Sequence, residues 1–386
     1  MDVMTPFHRP FLSGGEAPLV AEVIASGRFA LGGPMTARCE RRLESLVGCT
    51  RAILTTSCTD ALEMMALLVD LEAGDEVILP SYTFVSTANA FVLRGAKCVF
   101  VDVDPLTMNI DPVAVEAAVT TRTKAVVAVH YGGVGCDMQA LAELCRRRGL
   151  VLLEDAAQAI GAVHGGRPLG SFGAMAALSF HETKNIHCGE GGALLINDPR
   201  FVARAELLRD KGTDRARFVR GQIDKYTWQD IGSSFGPSEL NAAFLLAQLE
   251  HVEAVTLRRR ALWKRYRNGL APLAEAGQCE LASPHDSSSG NGHLFYLKAR
   301  DEEQRTALAA HLSSAGISAV SHYVPLHSAP AGLRFGRFHG RDVATSRDSL
   351  RLLRLPLYPQ LSDENVDRIA AETAAFIAGL PGTHAD

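Results

Sequence analysis

The chain has 386 residues, 47% of them hydrophobic and 21% charged, with a formal net charge of −4. That length exceeds what one hydrophobic core usually organises, and the charge gives no reason to expect a nucleic-acid partner. Apolar runs are strand-sized and too short to span a bilayer, and the N-terminal MDVMTPFHRP lacks the apolar core of a secretory signal, so a cytoplasmic enzyme without membrane contact is expected.

Strands and helices alternate through the first two-thirds. Ala52–Leu54 is a short apolar piece entering TTSCTDALEMMALLVDL, whose leucines and methionines recur at helical spacing. EVILPSY (76–82) reads as a strand and TFVSTANAFVLRG as a helix ending at Gly95. KCVFVDVD (97–104) is the next strand, and VAVEAAVT (113–120) is a helix after the Asp111-Pro112 start signal. AVVAVHY (125–131) is a strand, MQALAELCRRRG (138–149) a helix and VLLED (151–155) a strand. GALLIN (192–197) and FVARAELLRDKG (201–212) follow as strand and helix. Near-continuous Val/Ile/Leu runs predict parallel strands buried on both faces. Right-handed crossovers then gather loops and ligands at the carboxyl edge of the sheet.

Residues 213–237 are polar, aromatic and irregular, which predicts a loop excursion. Residues 238–270 read as one or two long helices leading out of a large domain. HLFYLKA (293–299), a helix EEQRTALAAHLSSAG, ISAVSHYVP (317–325) and a closing helix near 363–379 make a smaller α+β domain, with 282–292 as its most loop-like element. The expected boundaries are 1–255 for the large α/β domain, whose N-terminal segment is a candidate contact of the small one, and 256–386 for the small domain. Eight scattered cysteines without a CxxC pair suit buried thiols, and thirteen histidines show no HExxH, so no metal is expected.

Three constellations carry chemistry. Thr56-Ser57-Cys58-Thr59 stands at a helix start, where free N–H groups and the dipole favour phosphate; taken alone, it reads first as a plain N-cap. Asp155 with Gln158 ends a strand, and taken alone reads either as an aspartate capping the next turn or as a carboxylate for a pyridine nitrogen with an amide near the ring oxygen. Ser179-Phe180-His181-Glu182-Thr183-Lys184 is followed by Gly189-Glu190-Gly191-Gly192. A lone lysine is usually solvated, but this one lies between two apolar strands in a glycine-rich loop that a ligand can approach closely. A carboxylate and an amine at the carboxyl ends of adjacent strands suit pyridoxal phosphate, with Lys184 forming the Schiff base and Asp155 keeping the pyridine nitrogen protonated. Burial and neighbouring cations would lower the lysine pKa as that role requires. No GxGxxG follows the first strand and no GxxxxGK[ST] occurs, which leaves dinucleotide and P-loop readings weak.

The order SCTxAL, GDEVILPSYTFVSTANA, VDVDPxTMNID, VHYGG, EDAAQ, SFHETKN, GEGGA and HYVPLH resembles the sugar-nucleotide aminotransferases of the DegT/DnrJ/EryC1/StrS group over about residues 5–380. The resemblance implies a fold-type-I, pyridoxal-phosphate-dependent transferase, with a mostly parallel sheet sandwiched by helices and a smaller α+β C-terminal domain. SYTFVSTANAFVLRGAK, SFHETKN, RGQIDKYTWQDIGSS and RLLRLPLY are most similar to the subgroup that aminates C4 of dTDP-4-keto-6-deoxyglucose with glutamate, giving dTDP-4-amino-4,6-dideoxygalactose.

Carried over by position, the resemblance implies that Lys184 is the Schiff-base lysine and proton shuttle, and that Asp155 pairs with the ring nitrogen. Ser57, Cys58, Thr59 and Ser179 hold the phosphate, Phe84 lies against the ring and Gln158 contacts the ring oxygen. His181 faces the sugar or pyrophosphate, and Tyr323 and His327 lie near the substrate, although HYVPLH reads equally as an ordinary strand-to-loop exit. Many members carry an asparagine, with an arginine two residues later, that reach across a homodimer whose active sites are shared. Here those positions are Ser234 and Gly236. A serine hydroxyl can still donate to phosphate; the arginine's role does not transfer. A transaminase acting on another keto sugar stays open beside this reading. A dehydratase of the same fold, which replaces the lysine by histidine, is opposed by Lys184. A cofactor-binding regulator is opposed by the lack of a basic helix-turn-helix stretch before residue 50.

Overall fold

The computed structural model describes residues 4–283 and 288–379. An eight-stranded sheet forms its centre, in the order β1 (Arg51–Thr55), β9 (Gly192–Ile196), β8 (Met175–Ser179), β5 (Val151–Asp155), β4 (Thr123–Val129), β2 (Glu76–Pro80), β3 (Lys97–Val101) and β13 (Gly336–Phe338). From β8 to β13 every pairing is parallel, whereas β9 runs antiparallel to both β8 and β1. The sheet is therefore mostly parallel, as the buried apolar runs required. β2, β8 and β9 are buried along their whole length. Alternate residues of each strand serve two cores: Val126 and Ala128 face one, Ala125, Val127 and Val129 the other.

Helices cover both faces. The first core receives α1 (Glu16–Ser26), α2 (Pro34–Val47), α5 (Pro112–Ala118), α6 (Met138–Arg148) and α9 (Glu239–Leu249). The second receives α3 (Cys58–Leu68), α4 (Val85–Val92) and α7 (Val202–Arg209). α4 stops short of the expected Gly95, which takes φ 79° to turn the chain into β3. The 213–237 excursion carries one short helix, α8 (Arg215–Val219), and two isolated bridges.

The long helical stretch resolves into α9 and α10 (Val252–Glu275). Beyond it, β10 (Glu280–Leu281), β12 (Phe295–Lys298) and β14 (Leu352–Leu355) form an antiparallel sheet. Its core joins Leu262 and Tyr266 of α10, Leu308 and Leu312 of α11 (Glu302–Ser314) and Ile369 of α14 (Asp363–Gly379). Residues 284–287 of the expected 282–292 loop lie outside the described residues. Just past them β11 (Ser288–Ser289) pairs with β6 (Val163–His164), which pairs in turn with β7 (Arg167–Pro168). Two helices, α12 (Pro330–Phe335) and α13 (Thr345–Arg351), flank the β13 strand that returns to the edge of the large sheet. That return depends on Gly336, where a Cβ would collide with Phe100 and the Cys98 carbonyl. All eight cysteines are free thiols. Among the described residues no helix is long and apolar enough to cross a membrane, and no cluster of side chains is suited to a metal ion.

Candidate active site

A cavity of about 700 Å³ opens where the carboxyl ends of β5 and β8 meet the small sheet. Ser57, Cys58, Thr59, Phe84, Asp155, Gln158, Ser179, His181, Lys184 and Tyr323 all line it. β5 and β8 are hydrogen-bonded neighbours with Asp155 opposite Ala177. The strand-end carboxylate and the lysine loop therefore stand side by side, as the spacing implied.

Ser57 caps α3, its hydroxyl accepting from Asp60 N at 3.0 Å. In register, Gly192 lies between Ser179 and Thr55. A Cβ on Gly192 would collide with the Ser57–Cys58 peptide, so only glycine lets β9 pass beneath the helix start. Thr59 donates to Ser86 Oγ at 2.9 Å, which ties the first turn of α3 to that of α4. Two helix N-termini thus converge on one corner with the hydroxyls of Ser57, Thr59, Ser86 and Ser179. This donor set fits the phosphate of pyridoxal phosphate.

Asp155 is buried at 6% exposure. Its Oδ2 accepts from Thr87 Oγ1 at 2.7 Å and its Oδ1 from Ala157 N at 3.1 Å. Because an ionised carboxylate only accepts, Thr87 must donate to it, and Thr83, 2.8 Å behind, must donate to Thr87. Lys184 is half-buried, and its Nζ has no hydrogen-bond partner among the described residues. Burial lowers its pKa, against opposing pulls from Cys58 and Asp155. A carboxylate fixed for a ring nitrogen and an amine drawn toward neutrality fit the cofactor's two reactive ends.

Gln158 is held at both ends of its amide. Its Oε1 accepts from Gly132 N at 2.7 Å and its Nε2 donates to Tyr323 Oη at 3.3 Å. Tyr323 stacks on His322 at 3.5 Å and tilts toward Phe84 at 6.3 Å. Phe84 is 57% exposed, an aromatic face turned to the cavity with little packed over it. His181 is held by Thr183, whose Oγ1 lies 2.8 Å from Nδ1, and its Nε2 is 3.6 Å from Glu190.

Two expected residues lie elsewhere. His327 is outside the cavity lining: its Nδ1 is 2.7 Å from Ser81 Oγ, its Nε2 is 3.2 Å from Asp342, and its ring packs on Phe338. It anchors the 325–338 segment to the end of β2. Ser234 is exposed on the outer side of the α3 start, next to Phe235, whose carbonyl accepts from Thr56 N at 2.7 Å. It does not enter the cavity of its own subunit.

Thr87, Arg259, His293, His322 and Arg354 also line the cavity, as do Phe7 and His8 of the N-terminal segment, with no signal in the sequence that marks them. Thr87 and Arg354 fall inside quoted motifs, SYTFVSTANA and RLLRLPLY, but nothing local marks which of their residues turns inward.

The family model for the DegT/DnrJ/EryC1/StrS aminotransferase family matches residues 12–373. The aminotransferase TlmJ from Streptoalloteichus hindustanus is 32% identical, with TM-score 0.89 over 97% of this chain and 99% of that one. DesV of S. venezuelae, solved with a ketimine intermediate, is also 32% identical, with TM-score 0.89 over 98% of this chain and 100% of its own. Spr1654 from Streptococcus pneumoniae in its PLP-form is 25% identical, with TM-score 0.86 over 97% and 99%.

Proposed function

The chain belongs to the DegT/DnrJ/EryC1/StrS aminotransferase family, a group of fold-type-I enzymes that use pyridoxal 5′-phosphate, and from that premise we propose a nucleotide-sugar aminotransferase. Its amino donor is L-glutamate and its acceptor C4 of dTDP-4-keto-6-deoxy-D-glucose; the products are 2-oxoglutarate and dTDP-4-amino-4,6-dideoxy-D-galactose. The observation that carries amino-group transfer is Asp155, at the end of β5, and Lys184, in the loop after the neighbouring β8, lining one cavity. The choice of sugar is supported by the motifs quoted above and by the polar wall of the cavity, where His181 and Tyr323 present hydrogen-bonding groups.

Bound in this cavity, the cofactor supplies an aldehyde that exchanges amines and a ring that draws electrons from the carbon being deprotonated. Asp155 holds the proton on the ring nitrogen. The first turns of α3 and α4, with Ser179, fix the phosphate, and Phe84 covers one ring face. Lys184 would hold the cofactor at rest; once displaced by the donor amine, its neutral Nζ would take the proton from the donor Cα and pass it to the cofactor carbon, and with the keto sugar it would run the same transfer in reverse, leaving the proton on the acceptor carbon. The reading includes a homodimer with shared sites. The exposed Trp228 (79%), Ile231 and Ser234 of the 213–237 excursion support it, with Ser234 donating to the cofactor phosphate of the partner subunit.

The deciding experiment identifies the amino sugar formed from dTDP-4-keto-6-deoxy-D-glucose and glutamate by NMR. An axial C4 amine is expected. An equatorial C4 amine changes the product to the C4 epimer, and a failure to aminate this 4-keto sugar moves the enzyme to another keto sugar of the same class. Thr87→Val tests the support of Asp155. Losing a charge-assisted hydrogen bond of about 1.5–3 kcal/mol weakens cofactor retention by roughly tenfold or more, read by dialysis and visible absorbance. Unchanged retention would show that Ala157 N alone orients the carboxylate.

A further inference from the structure

Arg354 differs from the other cavity-lining arginine. Arg259 is fully buried, but its Nε and Nη2 donate to the carbonyls of Gly292, His293 and Leu357 at 2.8–3.0 Å. Its work is to hold the small domain's backbone. Among the described residues the Arg354 side chain makes one hydrogen bond, from Nη2 to Ser321 O at 2.9 Å, and its guanidinium carbon lies 4.7 Å from the Phe7 ring centroid. Its Nε is buried without any partner. No carboxylate lies within ion-pair distance of Arg354 among the described residues. An oriented, partly desolvated guanidinium with an unpaired N–H costs stability. In a cavity it marks the place of an anionic ligand group.

The surroundings leave that charge unbalanced. The acidic side chains lining the cavity are Asp155, engaged by Thr87, and Glu190 at the exposed rim. His322 cannot add a charge: burial, then Arg354 and Lys184, push its pKa down to about 2. Arg354 and Lys184 line the same cavity, so the guanidinium faces the space in which amines are exchanged. A donor amino acid carries its α-carboxylate on the carbon that bears the reacting nitrogen. The diphosphate of a nucleotide sugar is many bonds from C4. Sharing the cavity with Lys184 thus favours the carboxylate.

We propose that Arg354 is the binding residue for the α-carboxylate of the amino donor, taking it on the free guanidinium edge while Phe7 and Ser321 hold the plane. The proposal rests on the reading of an amino acid as donor. It also explains a requirement of the reaction: one cavity must accept an amino acid and then a sugar, and a cation that the sugar leaves unused makes the two half-reactions separately tunable.

The test uses holoenzyme carrying Arg354→Gln and Arg354→Lys, with retained visible absorbance showing that each is folded and loaded. Glutamate binding is read from the first half-reaction, and calorimetry with glutarate, an unreactive dicarboxylate, supplies a readout independent of turnover. Arg354→Gln is expected to raise the KM for glutamate and the Kd for glutarate by about 100-fold. Arg354→Lys should recover only part of that, because an ammonium lacks the planar fork. The KM for the amino sugar in the reverse half-reaction should stay within about threefold. Unchanged glutamate and glutarate affinities would overturn the proposal. So would a rise confined to the sugar nucleotide, which would assign Arg354 to the diphosphate. If wild type bound glutarate in an Arg354-dependent way yet never reacted with glutamate, the choice of donor would fall while the carboxylate site stood.

Discussion

Lys184→Ala is expected to lower turnover by about 10⁴-fold or more while the cofactor still binds through its phosphate. General acid–base transfer by a positioned side chain is worth about 10²–10⁴-fold, and here the same amine also carries the aldehyde carbon at rest. Two neighbouring histidines are poor substitutes: His293 is buried and His322 half-buried, and the pKa of each is lowered. Asp155 is committed to Thr87 and Ala157. Lys184→Arg separates charge from proton transfer. A guanidinium keeps the charge but does not deprotonate, so it should be nearly as inactive as alanine. Single-turnover kinetics with glutamate decide the matter, and a variant within tenfold of wild type would show that another group moves the proton. The wild-type rate should also fall on acidification from a midpoint below the ordinary lysine range of about 10.4. Burial lowers the Lys184 pKa, and the neutral amine is the form lost as pH falls.

The Asp155–Lys184 pair was legible because both halves are local. An apolar run ending in a carboxylate and another leading into a glycine-rich loop announce themselves. Their adjacency follows from parallel strands joined by crossovers. What stayed hidden depends on distant partners. α2 begins at Gly33-Pro34 without a capping side chain of its own; Glu239 of α9 accepts from Gly33, Met35 and Thr36 N at 2.8–3.1 Å instead. α1 likewise starts at Gly15 with no side-chain cap, so no Ser, Thr or Asp signalled it. Arg354 reaches the cavity because β14 pairs with β12 opposite Tyr296 and because Val320 bridges to it. Neither register is written in RLLRLPLY. His327 stands in a recognisable motif, yet in its own subunit it contacts Ser81 and Asp342, outside the cavity lining.

Glu154 carries the largest expected effect on stability. It is the strand neighbour of Asp155, so its side chain points to the opposite face of the sheet, where it is fully buried. Oε2 accepts from His130 Nε2 at 2.9 Å and Gly170 N at 2.8 Å; Oε1 accepts from Phe172 N at 2.7 Å and Gly173 N at 2.6 Å. Four donors converge on one carboxylate. Glu154→Ala strands them all and is expected to cost about 3–5 kcal/mol, measured by chemical denaturation. Glu154→Gln is not conservative here, because its NH₂ must face either His130 and Gly170 or Phe172 and Gly173, donor against donor. Burial alone would raise the Glu154 pKa, but His130 and the peptide N–H groups hold it below the ordinary range. A depressed carboxylate contributes stability above its unfolded pKa of about 4.3 and loses it as pH falls through the folded value. His130 does not supply a matching window, because Cys136 N donates to its Nδ1 at 3.3 Å, an edge that protonation would turn into a donor. The difference in stability between wild type and Glu154→Gln should therefore be greatest above about pH 4.3 and shrink as pH falls below it. A flat difference through that pH would mean that the donors are satisfied without the charge. Activity should fall with stability, because the 170–173 turn that Glu154 gathers feeds straight into β8 and sets where Ser179 and the Lys184 loop emerge.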